Sequence, residues 1–467
     1  MSNIKFGTDG WRAIIAKDFT VANVARVARA SALWIKKNQP QRPRVVIGYD
    51  CRFGGRLFME TAIGVFCEEG LEVYAAADFV STPMVSLGAS RFDAGLGVVI
   101  TASHNPPSYN GYKLKDHRGG PASPETVAQV EALIPGESRV PDLPMEEWVR
   151  QGKLRWVDLE SLYVEEVEKK FDMEAIRSSG IRVAYDPMYG AGQRVMKRIL
   201  PTARLIHADY NPGFHGQAPE PILKNLQELA ALIADSRQID LGLATDGDAD
   251  RIGLFDENGK FTDAHHIILL LIHYLFKYKG LRGKVVVAFS TSIRIKKLCD
   301  AYGIPLEITK IGFKYISGPM ATGEVIVGGE ESGGIAVMGH IPERDGIWDG
   351  LVIMEFMART GKKLSELIEE VYEVTGPFAY NRMDLHLPEE KKQAVMKACA
   401  EGRFKAFGPY AVEKVEQIDG YKFYLPEEST LMIRPSGTEP LLRVYCEAGS
   451  EEKVQEILKA AKESLLQ

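Results

Sequence analysis

The sequence predicts an α/β protein: three related α/β domains with mixed, mostly parallel sheets, then a smaller C-terminal α+β domain. Three observations predict it. The chain has 467 residues, which at roughly 150 residues per domain gives about three domains with room for a fourth. Three segments share a β-branched run that stops at a polar turn and enters a helical period: RVVIGYDCRFGG at 44–55, IRVAYDPMYGAG at 181–192 and KVVVAFSTSIRI at 284–295. Each then leads to a second and a third strand candidate, and the third ends every time in a polar loop.

The second strands begin near Leu71, Arg204 and Pro305. From Val45 to Val73 is 28 residues, and from Val183 to Ile206 and from Val285 to Ile308 is 23 each. The third strands are AGLGVVI from 94, IDLGLAT from 239 and GEVIVGG from 323. Strand–helix–strand–helix–strand at this spacing is a βαβ arrangement around a mostly parallel sheet. From about Thr375 the pattern changes to a strand (YNRMDLHL), a helix, three strands (GYKFYL, STLMIRP, LLRVYCEA) and a closing helix. That helix puts Val454, Ile457, Leu458, Ala461 and Leu465 on one face. The expected domains are 1–150, 151–254, 255–372 and 373–467, with 134–144 a long connection rich in Pro and Gly.

Composition excludes several classes. With 45% hydrophobic and 26% charged residues the chain is neither disordered nor fibrous. Its net charge of −6 supplies no global basic field, so neither nucleic acid nor an anionic membrane is an expected partner. An anionic ligand has to be met by local cations. Five scattered cysteines without a CxxC pair fit a reducing compartment. The N-terminal MSNIKFGTDGWR lacks an apolar signal core. The apolar run from Ile267 to Phe276, interrupted by His273, is far short of the ~20 residues that span a bilayer. A cytoplasmic protein is expected.

In open α/β sheets ligands bind beyond the carboxyl ends of the strands, where the three polar loops lie. The first, Thr101-Ala102-Ser103-His104-Asn105-Pro106-Pro107, runs on to Asn110-Gly111-Tyr112-Lys113. Its serine needs a base or a metal to become a nucleophile; taken alone, the loop reads equally as a turn. The second, Asp246-Gly247-Asp248-Ala249-Asp250-Arg251, turns alternate carboxylates to one side, as Mg²⁺ requires. An EF-hand reading fails, because Arg251 stands where the turn needs glycine and a strand precedes the loop. The third, Gly328-Gly329-Glu330-Glu331-Ser332-Gly333-Gly334, offers acceptors suited to a polyol; alone it is also a plain Gly-rich turn. His340, Glu343, Arg344 and Asp345 follow it. A fourth loop, Arg434-Pro435-Ser436-Gly437-Thr438-Glu439-Pro440, combines an arginine, two hydroxyls and a glycine into an anion nest. No Walker A, G-x-G-x-x-G or H-E-x-x-H motif occurs, so kinase, dinucleotide and zincin readings lose their usual supports.

In this order and spacing, TASHNP with NGYK, DGDADR, GGEESGG and RPSGTEP resemble the α-D-phosphohexomutase superfamily, and within it the phosphoglucomutase/phosphomannomutase group, over the whole chain. The resemblance implies four domains around a central cleft. It implies reversible phosphoryl transfer between O1 and O6 of a hexose phosphate, through a phosphoserine and a 1,6-bisphosphate, with glucose 1,6-bisphosphate as intermediate and activator. Ser103 becomes the phosphoserine, and Asp246, Asp248 and Asp250 hold Mg²⁺ with a Ser103 phosphoryl oxygen. Glu330 and Ser332 resemble the sugar-binding pair; Arg434, Ser436, Gly437 and Thr438 resemble the phosphate-binding loop. Arg12 of GTDGWR and Lys113 match active-site basic positions, His104 follows the serine as in the family, and Gly312-Phe313-Lys314 sits where relatives carry a substrate-proximal loop. Arg251, His340 and Arg344 complete the expected substrate contacts. The general base is Lys113 or His104.

Phosphoglucosamine mutases usually carry Gln after the first Glu of the sugar loop and His at its end. Glu331 and Gly334 depart from that pattern, and with the GHIPERDG stretch they lean toward glucose, with mannose or a bifunctional enzyme as the alternative. A metal-dependent phosphatase would use the same serine and aspartates but has little need of the Arg434 loop. A non-catalytic sugar-phosphate or Ca²⁺-binding module needs no serine chemistry. The sequence leaves the oligomeric state open.

Overall fold

The structure, a computed structural model, describes residues 4–7, 9–435 and 441–466. Its contacts divide the chain into two compact units, Met1–Val286 with Gly312–Ile368, and Val287–Ile311 with Glu369–Gln467.

The first unit opens with a six-stranded sheet built from β1 (Trp11–Ile14), β2 (Arg44–Tyr49), β3 (Glu72–Ala76), β4 (Leu96–Ile100), β5 (Tyr109–Lys115) and β6 (Leu154–Val157), in the order β1-β5-β4-β2-β3-β6. β2 pairs parallel with β3 and β4, and β5 returns antiparallel to β4. Val45, Ile47, Val98 and Ile100 meet Trp34, Phe58 and Phe66 in its core. Both faces of these strands are covered, so they read as continuous apolar runs.

The second sheet repeats the plan with β7 (Val183–Asp186), β8 (Arg204–Leu205), β9 (Leu241–Thr245), β10 (Ile252–Phe255) and β11 (Phe261–Thr262), ordered β11-β10-β9-β7-β8. Again β7 is parallel to β8 and β9, and β10 returns antiparallel to β9. In the third repeat, β12 (Lys284–Ala288), β13 (Leu306–Thr309), β14 (Val325–Gly329) and β15 (Ile335–Val337) follow in order, and β15 returns antiparallel to β14. The three polar loops are therefore three hairpin turns, each joining the third strand of a repeat to an antiparallel return strand. The apolar run after Asp263 forms a buried helix, Ala264–His273. No helix among the described residues is long and apolar enough to cross a membrane.

The second unit contains β16 (Ala379–His386), β17 (Ala406–Phe407), β18 (Tyr410–Ala411), β19 (Lys414–Gln417), β20 (Tyr421–Leu425), β21 (Ser429–Pro435) and β22 (Leu441–Ala448). Five of them make a sheet ordered β16-β22-β21-β20-β19. The closing helix Glu451–Leu466 buries the face formed by Val454, Ile457, Leu458, Ala461 and Leu465.

Pairing and packing cross the domain limits read from the sequence at three places. The first sheet extends past residue 150, because β6 pairs with β3. The second extends past 254 to β11, which pairs with β10. Residues 287–311 group with the C-terminal sheet. Phe289 packs on Met432 and Tyr445, the Tyr380 hydroxyl donates to the Ser290 carbonyl at 2.7 Å, and Arg294 donates to the Thr375 carbonyl at 3.1 Å. Such long-range contacts leave no periodicity in the sequence.

Candidate active site

Ser103 sits in the hairpin between β4 and β5 with its backbone in the left-handed region, φ 52°, a strained conformation for a non-glycine residue. The strain is held from several sides. The Ser103 N–H donates to Thr101 Oγ1 at 2.8 Å. Arg52 threads its guanidinium into the loop and donates to the carbonyls of Ser103, Asn105, Pro106 and Tyr109 at 2.5–3.0 Å. Asp50, which accepts from Thr101 at 2.6 Å and from the Arg52 N–H at 3.0 Å, ties these two together. Burial raises the Asp50 carboxyl to about 6 against the pull of Arg52.

The serine hydroxyl points at the second hairpin. Ser103 Oγ donates to Asp246 Oδ2 at 2.6 Å and lies 3.3 Å from His104 Nδ1. Asp246 Oδ1 accepts from the N–H groups of Asp250 and Arg251, which closes the loop on itself. Gly247 is required here, because a Cβ would lie 2.6 Å from the Ser103 carbonyl oxygen. Asp248 rests on the N-terminus of the helix Thr82–Arg91, where Thr82 Oγ1 donates to its Oδ2 at 2.5 Å, a position the helix dipole favours for an anion.

Asp246, Asp248 and Asp250 are all buried, and each offers an oxygen within 4.8 Å of the others. Among the described residues, Asp248 Oδ1 and Asp250 Oδ1 have no hydrogen-bond partner. Unpaired buried carboxylate oxygens are costly, and together with Asp246 they are the hard, anionic donor set that Mg²⁺ takes. The residues present therefore fit the metal. Burial, then repulsion from Asp248 and Asp250, pushes the Asp246 carboxyl well above its ordinary value.

Lys113, reaching in from β5, binds Asp9, Asp248 and Asp250, each at 2.8 Å. Burial alone would strip its proton, but Asp248 and Asp250 outweigh it and hold the ammonium charged. Arg344 donates to Asp9 at 2.6 Å and pairs with Asp250 at 2.8 Å. Arg12 donates to Asn105 at 2.7 Å, and Arg251 faces Glu220 at 3.7 Å. His104 is only half-buried by its surroundings, yet desolvation and then the charges of Arg251, Arg12, Lys113 and Arg52 keep its imidazole neutral, far below the usual histidine range. The Ser103 loop thus lies in a local positive field.

In the third hairpin Glu330 Oε1 accepts from the Gly312 N–H at 2.9 Å. Burial lifts its carboxyl to about 7, against Arg344. The Arg344 guanidinium covers the Phe313 ring, and Lys314 lies over Tyr315; the bond from this segment to Glu330 comes from the Gly312 N–H. Ser332 is half-exposed. His340 does not join this group: its ring stacks on Trp348 with centroids 3.6 Å apart, and Nε2 pairs with Asp345 at 3.0 Å. Tyr163 binds the same carboxylate, which closes His340 into a structural cluster.

In the second unit Arg434, next to last in β21, donates to Asp419 at 3.2 Å. Ser436, Gly437 and Thr438 lie outside the described residues. Sequence reasoning missed Arg52, Asp50, Thr82, Asp9 and the buried pair Lys115–Glu343, whose oxygen also accepts from Ser86. The one available signal was unusual charge inside the RVVIGYDCR and GTDGWR segments.

Comparison with known proteins shows what the whole chain is similar to. Family models described as phosphoglucomutase/phosphomannomutase domains match in order: alpha/beta/alpha domain I at residues 3–140, domain II at 161–259, domain III at 263–375 and the C-terminal domain at 385–464. A phosphoglucomutase/phosphomannomutase of Thermococcus kodakarensis is 31% identical over 97% of this chain and 96% of its own. A phosphoglucosamine mutase of Carboxydothermus hydrogenoformans is also 31% identical, over 97% of both. A crystal structure from Thermus thermophilus, assigned as a phosphomannomutase, superposes with a TM-score of 0.88 at 33% identity over 100% of both chains.

Proposed function

We propose, from the premise that the chain belongs to the phosphoglucomutase/phosphomannomutase family, that it moves a phosphoryl group between O1 and O6 of a hexose phosphate, with glucose the preferred sugar. The observation that carries this reading is Ser103 Oγ, 2.6 Å from Asp246 inside a buried carboxylate trio with two unpaired oxygens. A phosphoserine there donates to the free sugar hydroxyl: the bond from the sugar oxygen to phosphorus forms, and the bond from Ser103 Oγ breaks. The resulting 1,6-bisphosphate turns over, and Ser103 takes back the other phosphoryl group. Asp246, Asp248 and Asp250 would hold Mg²⁺, and a cation there would supply charge neutralisation on the transferring oxygens.

The protein groups divide the remaining work. The sugar hydroxyl must lose a proton as its oxygen attacks, and His104, with Nδ1 3.3 Å from Ser103 Oγ, is placed to take it. Lys113 is not, since three carboxylates hold its proton; its charge compensates Asp9, Asp248 and Asp250. Arg12 and Arg251 meet the incoming phosphate. Glu330 and Ser332 accept from or donate to the sugar hydroxyls in both orientations. Arg434 and its loop grip the phosphate that is not reacting, the feature that favours a mutase over a phosphatase.

Relatives named phosphoglucosamine mutase at 28–31% identity make the amino sugar the competing substrate. Incubation of protein and Mg²⁺ with glucose 1-phosphate, mannose 1-phosphate or glucosamine 1-phosphate separates the readings. The 6-phosphate should form fastest from glucose 1-phosphate. Release of free phosphate instead would identify a phosphatase, and a faster glucosamine reaction would overturn the choice of sugar.

A further inference from the structure

Behind the aspartate loop lies a strained turn that none of the chemistry above uses. Met188 and Tyr189, directly after β7, have φ 50° and 60°, and His207 after β8 has φ 47°. Two consecutive non-glycine residues in the left-handed region persist only where their surroundings impose them. Here two residues do so. Asp186, at the end of β7 and buried, accepts from the Met188 N–H through Oδ1 at 2.7 Å and from His207 Nδ1 through Oδ2 at 2.9 Å. The His207 carbonyl accepts from the Tyr189 N–H at 2.8 Å. The bond to Asp186 raises His207 to about 9, so the imidazole donates at neutral pH.

The turn in its correct shape presses on the aspartate loop. Gly190 has Asp246 O, Gly247 Cα and Gly247 O all 2.8 Å from where a Cβ would stand. The Ala191 N–H donates to the Gly247 carbonyl at 2.9 Å, and Gly247 in turn abuts the Ser103 carbonyl. A continuous chain of bonds and close contacts therefore runs from His207 through Asp186 and the 187–191 turn to the peptide between Asp246 and Asp248.

We propose that His207 is a positioning residue for the metal site, acting through Asp186 and the 187–191 turn to fix the backbone that aims Asp246 and Asp248. The proposal rests on the mutase reading only for what the site does afterwards; the effect on metal binding stands without it.

Calorimetric titration of the full-length protein with Mg²⁺, run beside mutase kinetics, tests it. His207→Ala removes the donor to Asp186 and should weaken Mg²⁺ binding on the order of tenfold, the lower end of what outer partners of a ligand set contribute, with KM for the sugar phosphate at saturating Mg²⁺ unchanged. His207→Asn keeps a donor where Nδ1 stands and tolerates the left-handed backbone, so it should restore wild-type affinity. Glu228→Gln, altering the other, exposed partner of His207, should leave affinity unchanged. Mg²⁺ affinity of His207→Ala within twofold of wild type would overturn the proposal, as would equal losses in the Ala and Asn variants. Wild-type protein without mutase turnover, together with weakened Mg²⁺ binding in His207→Ala, would defeat the proposed function and leave this inference standing.

Discussion

The loop between β9 and β10 and the loop between β14 and β15 share one topology, yet they are finished to different degrees. In the first, Ser103, Thr82, Lys113 and the loop's own N–H groups all bond the aspartates before any ligand arrives. In the second, the Gly312 N–H is a donor to Glu330, Ser332 stays half-exposed, and the carboxyl sits near neutral pH. The difference follows from the tasks proposed. A group that stabilises developing charge gains by being fixed in advance. A group that must hold a sugar in two opposite orientations gains by keeping acceptors available. If so, damage to the first loop should strike turnover and stability, and damage to the second should strike recognition.

The sharpest break is at Ser103. Ser103→Ala should abolish turnover while leaving the thermal midpoint close to wild type, because Arg52 and Thr101 hold the loop through backbone atoms. Intact-mass spectrometry should show a fraction of wild-type protein heavier by one phosphoryl group and none in the variant. Full activity in the variant would end the phosphoserine assignment.

Lys113→Met tests the first loop's charge balance. It strands Asp9, Asp248 and Asp250 beside one another with a partner removed, and breaking a buried pair in this way costs about 3–5 kcal/mol. Denaturant unfolding should show that loss, and saturating Mg²⁺ should recover part of it by supplying a cation to the same carboxylates. A variant as stable as wild type without metal would mean that Lys113 does not compensate the trio.

The sequence shows the loops and hides their support. The strand pattern that marks β4, β9 and β14 is local, a β-branched run ending in polar residues, so the positions of the three loops are legible from it, whereas the roles of Ser103 and Glu330 come from the resemblance. Arg52 is not legible. It lies 51 residues from the carbonyl it binds at Ser103, and the charge in its own segment does not say which loop it holds. Thr82 is 166 residues from Asp248. Lys113 was legible as a basic position, but its role was not, because the base reading depends on whether carboxylates surround it, and those come from Asp9 and from another hairpin. His340 shows the opposite error: a histidine near a sugar loop looks like a ligand until Trp348 and Asp345 enclose it.

For the second loop the expected effects are smaller. Glu330→Gln keeps the shape and replaces a charged acceptor with a neutral amide. Hydrogen bonds to charged groups contribute about 1.5–3 kcal/mol, so KM for glucose 1-phosphate should rise roughly tenfold or more, with metal affinity nearly unchanged. A fall in kcat with KM unaffected would place Glu330 in the chemical step and erase the contrast between the loops.

The smallest effect is a pH dependence with two opposite signs. Glu330 has an ordinary value of 4.5 and is raised to about 7 by burial in the free protein. The folded state therefore holds this proton more tightly than the unfolded chain. The stability it confers is fully present below about pH 4.5 and is lost as pH rises through about 7. Sugar recognition runs the other way, because the ionised carboxylate is the stronger acceptor for hydroxyl groups. As pH falls below about 7, kcat/KM should drop by up to about tenfold per unit from this group alone. The phosphate of the substrate also titrates, near 6, but it does so equally for both proteins, so the ratio of wild type to Glu330→Gln isolates the carboxyl. That ratio should be largest above pH 7 and shrink toward acid, while unfolding measurements over the same range show wild type losing stability relative to the variant between pH 5 and 7. Parallel pH profiles for the two proteins would show that Glu330 does not meet the sugar as a carboxylate.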